Sequence, residues 1–91
     1  MYFTRYLIVY DIADSKRLNE LRKLLEGFVY WKQNSVFEGE LTKSQFVELK
    51  DKIRDIIEKD EDSVIIYPLT KQNVENKIVI GVEKRKVEFV I

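Results

Sequence analysis

The stretch TRYLIVYDI, residues 4–12, constrains this chain more than any other. Nearly every position is aliphatic, aromatic or β-branched, the signature of a strand covered on at least one face. The run then ends on two carboxylates, Asp11 and Asp14. A helical stripe follows at once: Leu18, Leu21, Leu24, Leu25 and Phe28 fall at offsets 0, 3, 6, 7 and 10. Asp14 or Ser15 supplies the N-cap, and Gly27 suits a left-handed exit.

The remaining elements follow from the same two periodicities. Residues 28–41 place β-forming side chains on both sides of Gln33 and Asn34, which reads as two short strands with a turn or bulge at Asn34. The second of these strands is SVFEGE. Thr42 and Gln45 have capping-box spacing and open a second helix. Its stripe is Phe46, Leu49, Ile53, Ile56 and Ile57, and it fades near Lys59. Residues 60–62, all acidic, read as a solvated loop. SVIIY at 63–67 is a strand that Pro68 ends. The turn-rich TKQNVENK leads to IVIGV at 78–82, and VEFVI at 87–91 alternates as a last short strand. The order is β-α-β-β-α-β with an extra C-terminal strand, a ferredoxin-like α+β sandwich with both helices on one face of the sheet.

Ninety-one residues form one domain. A chain this short buries only about 60–65% of its unfolded surface, so pairing with a second copy would add to a marginal core. At 45% apolar residues the chain is not disordered. No apolar run reaches the roughly 18–20 residues of a membrane span, and no signal peptide is evident. With no cysteine, thiol catalysis and cysteine-based zinc sites are excluded, and a cytoplasmic location is expected. With no histidine, a Ser-His-Asp triad is impossible and the usual general base is missing. Carboxylates, lysines, tyrosines or a hard metal must carry any chemistry. Net charge is zero, but residues 38–62 carry net −4 and both flanking segments carry net +2.

Four motifs occur in order: YDI-x-D at 10–14, RL at 17–18, Q-x-SVFEG-x-L at 33–41 and DSVIIYPL at 62–69. Together they resemble the small CRISPR-associated Cas-two family, the companion of the Cas-one integrase, over roughly residues 5–82. The resemblance implies a homodimer that joins Cas-one to insert foreign DNA as spacers. It also implies, for several members, a magnesium-dependent nuclease acting on single-stranded RNA or double-stranded DNA. The family's metal-binding, catalytic acid matches Asp11. Other positions tied to activity match Tyr10, Arg17 and Phe37. Lys32 stands where many relatives carry an arginine, which keeps the charge and loses the two-pronged phosphate contact. These residues, with Ser35, form the expected nucleic-acid contacts.

The residues themselves leave alternatives open. Asp11 is either an exposed cap at a strand end or a ligand for Mg²⁺ (or Mn²⁺). One aspartate is too few for Mg²⁺, so two copies of Asp11 across a two-fold axis would be needed, with phosphate and waters completing the shell. Asp14 reads as a cap. Arg17 gains nothing from the helix dipole in the first turn, and a phosphate would explain it; so would plain surface charge. Lys16, Arg17, Arg22 and Lys23 either line a nucleic-acid backbone or solvate a helix face. Tyr6, Tyr10, Tyr30, Trp31 and Phe37 either stack on bases or pack the core or dimer. Ser35 either bonds a phosphate or pins a turn, and Gly39 marks a bulge or close strand approach. Residues 83–91 read as a tail that pairs with a partner by strand addition. Three functions remain: a nuclease, a non-catalytic nucleic-acid-binding scaffold, and an RNA-degrading toxin of similar fold.

Overall fold

The computed structural model describes residues 2–86. Four strands and three helices alternate as β1 (Thr4–Asp11), α1 (Ser15–Glu26), β2 (Tyr30–Gln33), β3 (Val36–Leu41), α2 (Lys43–Ile56), β4 (Ser63–Leu69) and α3 (Lys71–Glu75). The sheet order is β2-β3-β1-β4, with every neighbouring pair antiparallel. The expected ferredoxin-like α+β arrangement is therefore present. The expected strand at 87–91 lies outside the described residues.

Alternation along β1 decides which side is covered. Tyr6, Ile8 and Tyr10 are buried, with Phe37 and Leu41 of β3 on the same side. Against them pack Leu21 and Leu25 of α1 and Leu49 and Ile53 of α2. Phe46 stacks flat on Tyr6, with ring centroids 4.4 Å apart. The other face carries Arg5, Leu7 and Val9 of β1, Glu38 and Glu40 of β3, and Ile65 and Tyr67 of β4. Arg5 is buried there, its side chain 1% exposed, and donates from Nε to Glu38 at 2.7 Å. Glu40 lies 3.4 Å from its Nη1. Cross-strand pairing supplies the partner that a buried guanidinium requires.

The structure differs from the sequence reading at five places. Gly27 ends α1 in right-handed conformation, φ −78°, because the turn tightens: its N–H reaches back to the Leu24 carbonyl, and those of Phe28 and Val29 reach the Leu25 carbonyl. Among the described non-glycine residues the left-handed one is Asn34, φ 42°, in the β2–β3 turn. Pro68 does not end its strand: β4 continues to Leu69, since an edge strand has an outer side where a missing N–H costs nothing. Residues 70–77 contain a short helix, α3, opened by a second capping box of Thr70 and Asn73. Residues 78–82 join no sheet. They cross the helix-free face, where Lys77–Ile80, Val82 and Glu83 border a cavity of about 390 Å³ with Leu7, Val36 and Glu38. A segment lying across a sheet has no free edge to pair with.

The acidic run 60–62 is not uniformly solvated either. Asp62 is closed to solvent (0% side-chain exposure) and collects four donors. Ala13 N–H donates at 2.9 Å, Glu58 N–H at 2.8 Å, and Arg17 from Nε at 2.8 Å and Nη2 at 3.3 Å. The bond from Arg17, then the two backbone N–H groups, holds its pKa at about 2, below the ordinary 3.8.

Two predictions follow from this packing. A Cβ on Gly39 would sit 2.9 Å from Val29 Cγ1 and 3.1 Å from its Cα, whereas at Gly27 nothing lies nearer than 3.4 Å. Gly39→Ala should cost about 1–3 kcal/mol in thermal denaturation and Gly27→Ala little. Because the Asp62 pKa is depressed, its contribution to stability is present above pH 3.8 and lost as pH falls toward about 2. In Asp62→Asn, urea midpoints recorded over that interval should fall less steeply with acid than in the parent protein; Glu83, also depressed to about 2, retains part of the slope.

Candidate functional site

Asp11 closes β1 opposite Ser63 of β4, on the helix-free side by alternation. It is exposed, and among the described residues nothing donates to its carboxylate. Hydrogen-bonded neighbours do not orient it; the backbone on either side does. On one side is the pairing with Ser63. On the other is the turn 12–14, which Asp62 holds through Ala13. Asp14 caps α1 by accepting from Arg17 N–H at 2.9 Å, as expected of a cap.

The remaining site residues divide into three groups. Ser35 comes next to Asp11, because its carbonyl accepts from Tyr10 N–H at 3.1 Å. The β2–β3 turn thus stands beside the end of β1. Tyr10 and Phe37 belong to the core, 4% and 0% exposed, with ring centroids 6.1 Å apart. Burial raises the Tyr10 phenol pKa, partly offset by Arg22. Neither ring offers a face to a base in this conformation, and their link to Asp11 is that they anchor its strand and the neighbouring one.

Arg17 and Lys32 form the third group, since both cations are already paired. Arg17 is 25% exposed at its side chain and turns Nε and Nη2 toward Asp62, with Glu61 3.7 Å away. The bond to Asp62 raises its pKa. Its Nη1 carries no hydrogen bond among the described residues, leaving one donor edge for an anion. Lys32, at the bulge between Trp31 and Gln33, bonds Glu83 at 2.7 Å and the Arg85 carbonyl. Lys77 reaches the same Glu83, and the two lysines hold that carboxyl at about 2. Arg85 covers the Tyr30 ring, 5.2 Å from its centroid.

A sequence reading missed Asp62 because it stands in a run of three acids and nothing local marks it out. Arg5 was missed because a charged residue in an alternating strand reads as solvated. As for a metal, no group of three or more carboxylates could hold one among the described residues. Asp11 is a hard oxygen donor with no competing partner, so it fits Mg²⁺ as one ligand per chain and no more. No helix among the described residues is long and apolar enough to cross a membrane.

Comparisons with known proteins agree with this geometry. The family model described as CRISPR associated protein Cas2 matches residues 4–77. A protein of Methanocaldococcus jannaschii named CRISPR-associated endoribonuclease Cas2 is 44% identical over 85 residues, 93% of this chain and 74% of the relative. A relative of the same name from Thermococcus kodakarensis is 42% identical, over 93% of this chain and 96% of its own. A solved structure titled "Crystal structure of cas2" superposes with TM-score 0.79 at 40% identity, covering 99% of this chain and 100% of that one. A chain of a structure titled "Partial Cas6-RT-Cas1--Cas2 complex" superposes with TM-score 0.77 at 29% identity, covering 97% of each. With the motifs around Asp11, the sheet order and these matches in agreement, the toxin reading falls away, and the chain belongs to the CRISPR-associated protein Cas2 family.

Proposed function

We propose that this protein acts in the cytoplasm as a homodimer that cleaves phosphodiester bonds with Mg²⁺ (or Mn²⁺) held between two Asp11 carboxylates. The same dimer is the scaffold on which Cas1 assembles to insert spacer DNA. The observation that carries the reading is the position of Asp11: exposed, without a donor, and on the sheet face that no helix covers. That face presents apolar side chains to water. Ile65 is 46% exposed and Tyr67 50%, and Ile78, Ile80 and Val82 on the segment crossing it are 85%, 95% and 76% exposed. A second copy set against this face would bury those side chains. It would also bring in the second carboxylate that a single chain lacks.

RNA is the favoured substrate, on the strength of the endoribonuclease name shared by the relatives. The Cas1 partnership rests on the Cas1–Cas2 complex whose chain this one resembles. When bound, Mg²⁺ would ready a water for attack on phosphorus and offset charge on the leaving oxygen. The protein's own part is to hold that ion through Asp11, to offer Arg17 Nη1 to a phosphate oxygen, and to keep the Ser35 turn against the strand end. Lys32 joins the nucleic-acid surface where the backbone passes β2.

Asp11→Asn should therefore abolish Mg²⁺-dependent cleavage of single-stranded RNA, a loss larger than the roughly 10–100-fold caused by changes to groups behind a metal ligand. Folding and dimer mass should be retained, and so should spacer capture with Cas1. Undiminished cleavage by that variant would place the chemistry elsewhere. Truncation after Val82 removes the tail from Glu83 onward; sedimentation velocity should then show a weaker dimer or lost Cas1 binding, and unchanged association on both counts would exclude a pairing role for the tail.

A further inference from the structure

We propose that Asp62 is the positioning residue for Asp11: it sets where the metal-binding carboxylate stands without touching the metal itself. The proposal rests on the reading of Asp11 as a metal ligand. Asp11 has no donor of its own among the described residues, so its placement depends on the backbone at 11–13. That backbone is closed into a small ring. Asp11 pairs with Ser63, Ser63 follows Asp62 in the chain, and Asp62 Oδ1 accepts from Ala13 N–H at 2.9 Å, two residues beyond Asp11. Both exits of Asp11 therefore refer to the same point on β4.

The other bonds of Asp62 make that point rigid. Its Oδ2 accepts from Glu58 N–H just past α2 and from Arg17 Nε in the first turn of α1, both at 2.8 Å. One carboxylate thus joins the β1–α1 turn, α1, the segment after α2 and the start of β4. An ionised carboxylate has about four acceptor sites, and four donors occupy them. Asp62 has no oxygen lone pair left for a cation and is closed to solvent, so it does not serve as a ligand. Its sequence position, 51 residues from Asp11, conceals this link. A displacement of about 1 Å at a reacting group is enough to cost about 100-fold in rate, so a support of this kind has a functional consequence.

The test uses the intact dimer and Mn²⁺ as probe, with binding read by titration calorimetry beside RNA cleavage. Asp62→Asn keeps the shape and one acceptor oxygen but replaces the other with a group that faces donors. It should weaken Mn²⁺ binding about 10–100-fold while dimer mass stays unchanged. A residue that only stabilised the fold would lower the melting temperature and leave Mn²⁺ affinity of the folded dimer as it was; that result overturns the proposal. Should Asp62→Asn fail to fold, Arg17→Lys decides, since it keeps the cation beside Asp62 and removes the two-pronged hold. Weaker Mn²⁺ binding supports the proposal, and parental affinity overturns it. Asp11→Asn runs alongside. If it loses Mn²⁺ while the Asp62 and Arg17 variants keep it, positioning alone is refuted; if it keeps Mn²⁺, the Asp11 reading fails and the proposal with it.

Discussion

Two helices can cover only one face of a four-stranded sheet, and most of this molecule follows from that constraint. The covered face takes Tyr6, Ile8, Tyr10, Phe37 and Leu41 and becomes the core. The uncovered face must accommodate what alternation places there: a buried arginine, two glutamates, several apolar side chains and, at the end of the strand, Asp11. Arg5 is tolerated because β3 sets Glu38 and Glu40 within reach. A one-residue slip between β1 and β3 would move every side chain to the wrong face and strand that guanidinium without a counter-charge. The buried ion pair therefore works with the hydrophobic alternation to specify the β1–β3 register, which sets the Ser35 turn beside the end of β1.

The same geometry separates two kinds of contribution to the candidate site. Tyr10, Phe37 and Asp62 act from behind, as packing or as a hydrogen-bonded hub. Asp11, Ser35 and the outer edge of Arg17 stand in front. The cations expected to meet a nucleic-acid backbone are not idle in the single chain: Arg17 answers Asp62, and Lys32 answers Glu83. Each carries a neighbouring carboxylate that a phosphate would have to outcompete or share. Family motifs mark all of these positions alike, because they record which residues matter and not how each one matters.

Much of the fold was legible. The leucine stripe of α1, the capping box of Thr42 and Gln45, and the Asn34 turn all have short-range causes, and each stands where the pattern puts it. The misreadings share a different origin. Gly27 and Pro68 were read from intrinsic preference, and tertiary context overruled both, through a tightened helical turn and an edge position. The second capping box, Thr70 with Asn73, was available at the same spacing as the first but lay in a stretch too polar and too short to show a stripe. The segment 78–82 has the composition of a strand, but strand pairing needs a free edge, and within one chain it meets a sheet face instead.

The amino-acid sequence by itself determined the order of the main elements, the absence of histidine and cysteine chemistry, and Asp11 as the acid to watch, because these depend on periodicity, composition and local motifs. Only the tertiary structure decided that Asp62 among three adjacent acids is the buried one, that Arg5 lies inside, and that Tyr10 and Phe37 face the core while Asp11 faces out. The physical reason is that burial and charge pairing are set between residues tens of positions apart. Arg17 and Asp62 become neighbours only once β1 and β4 lie side by side.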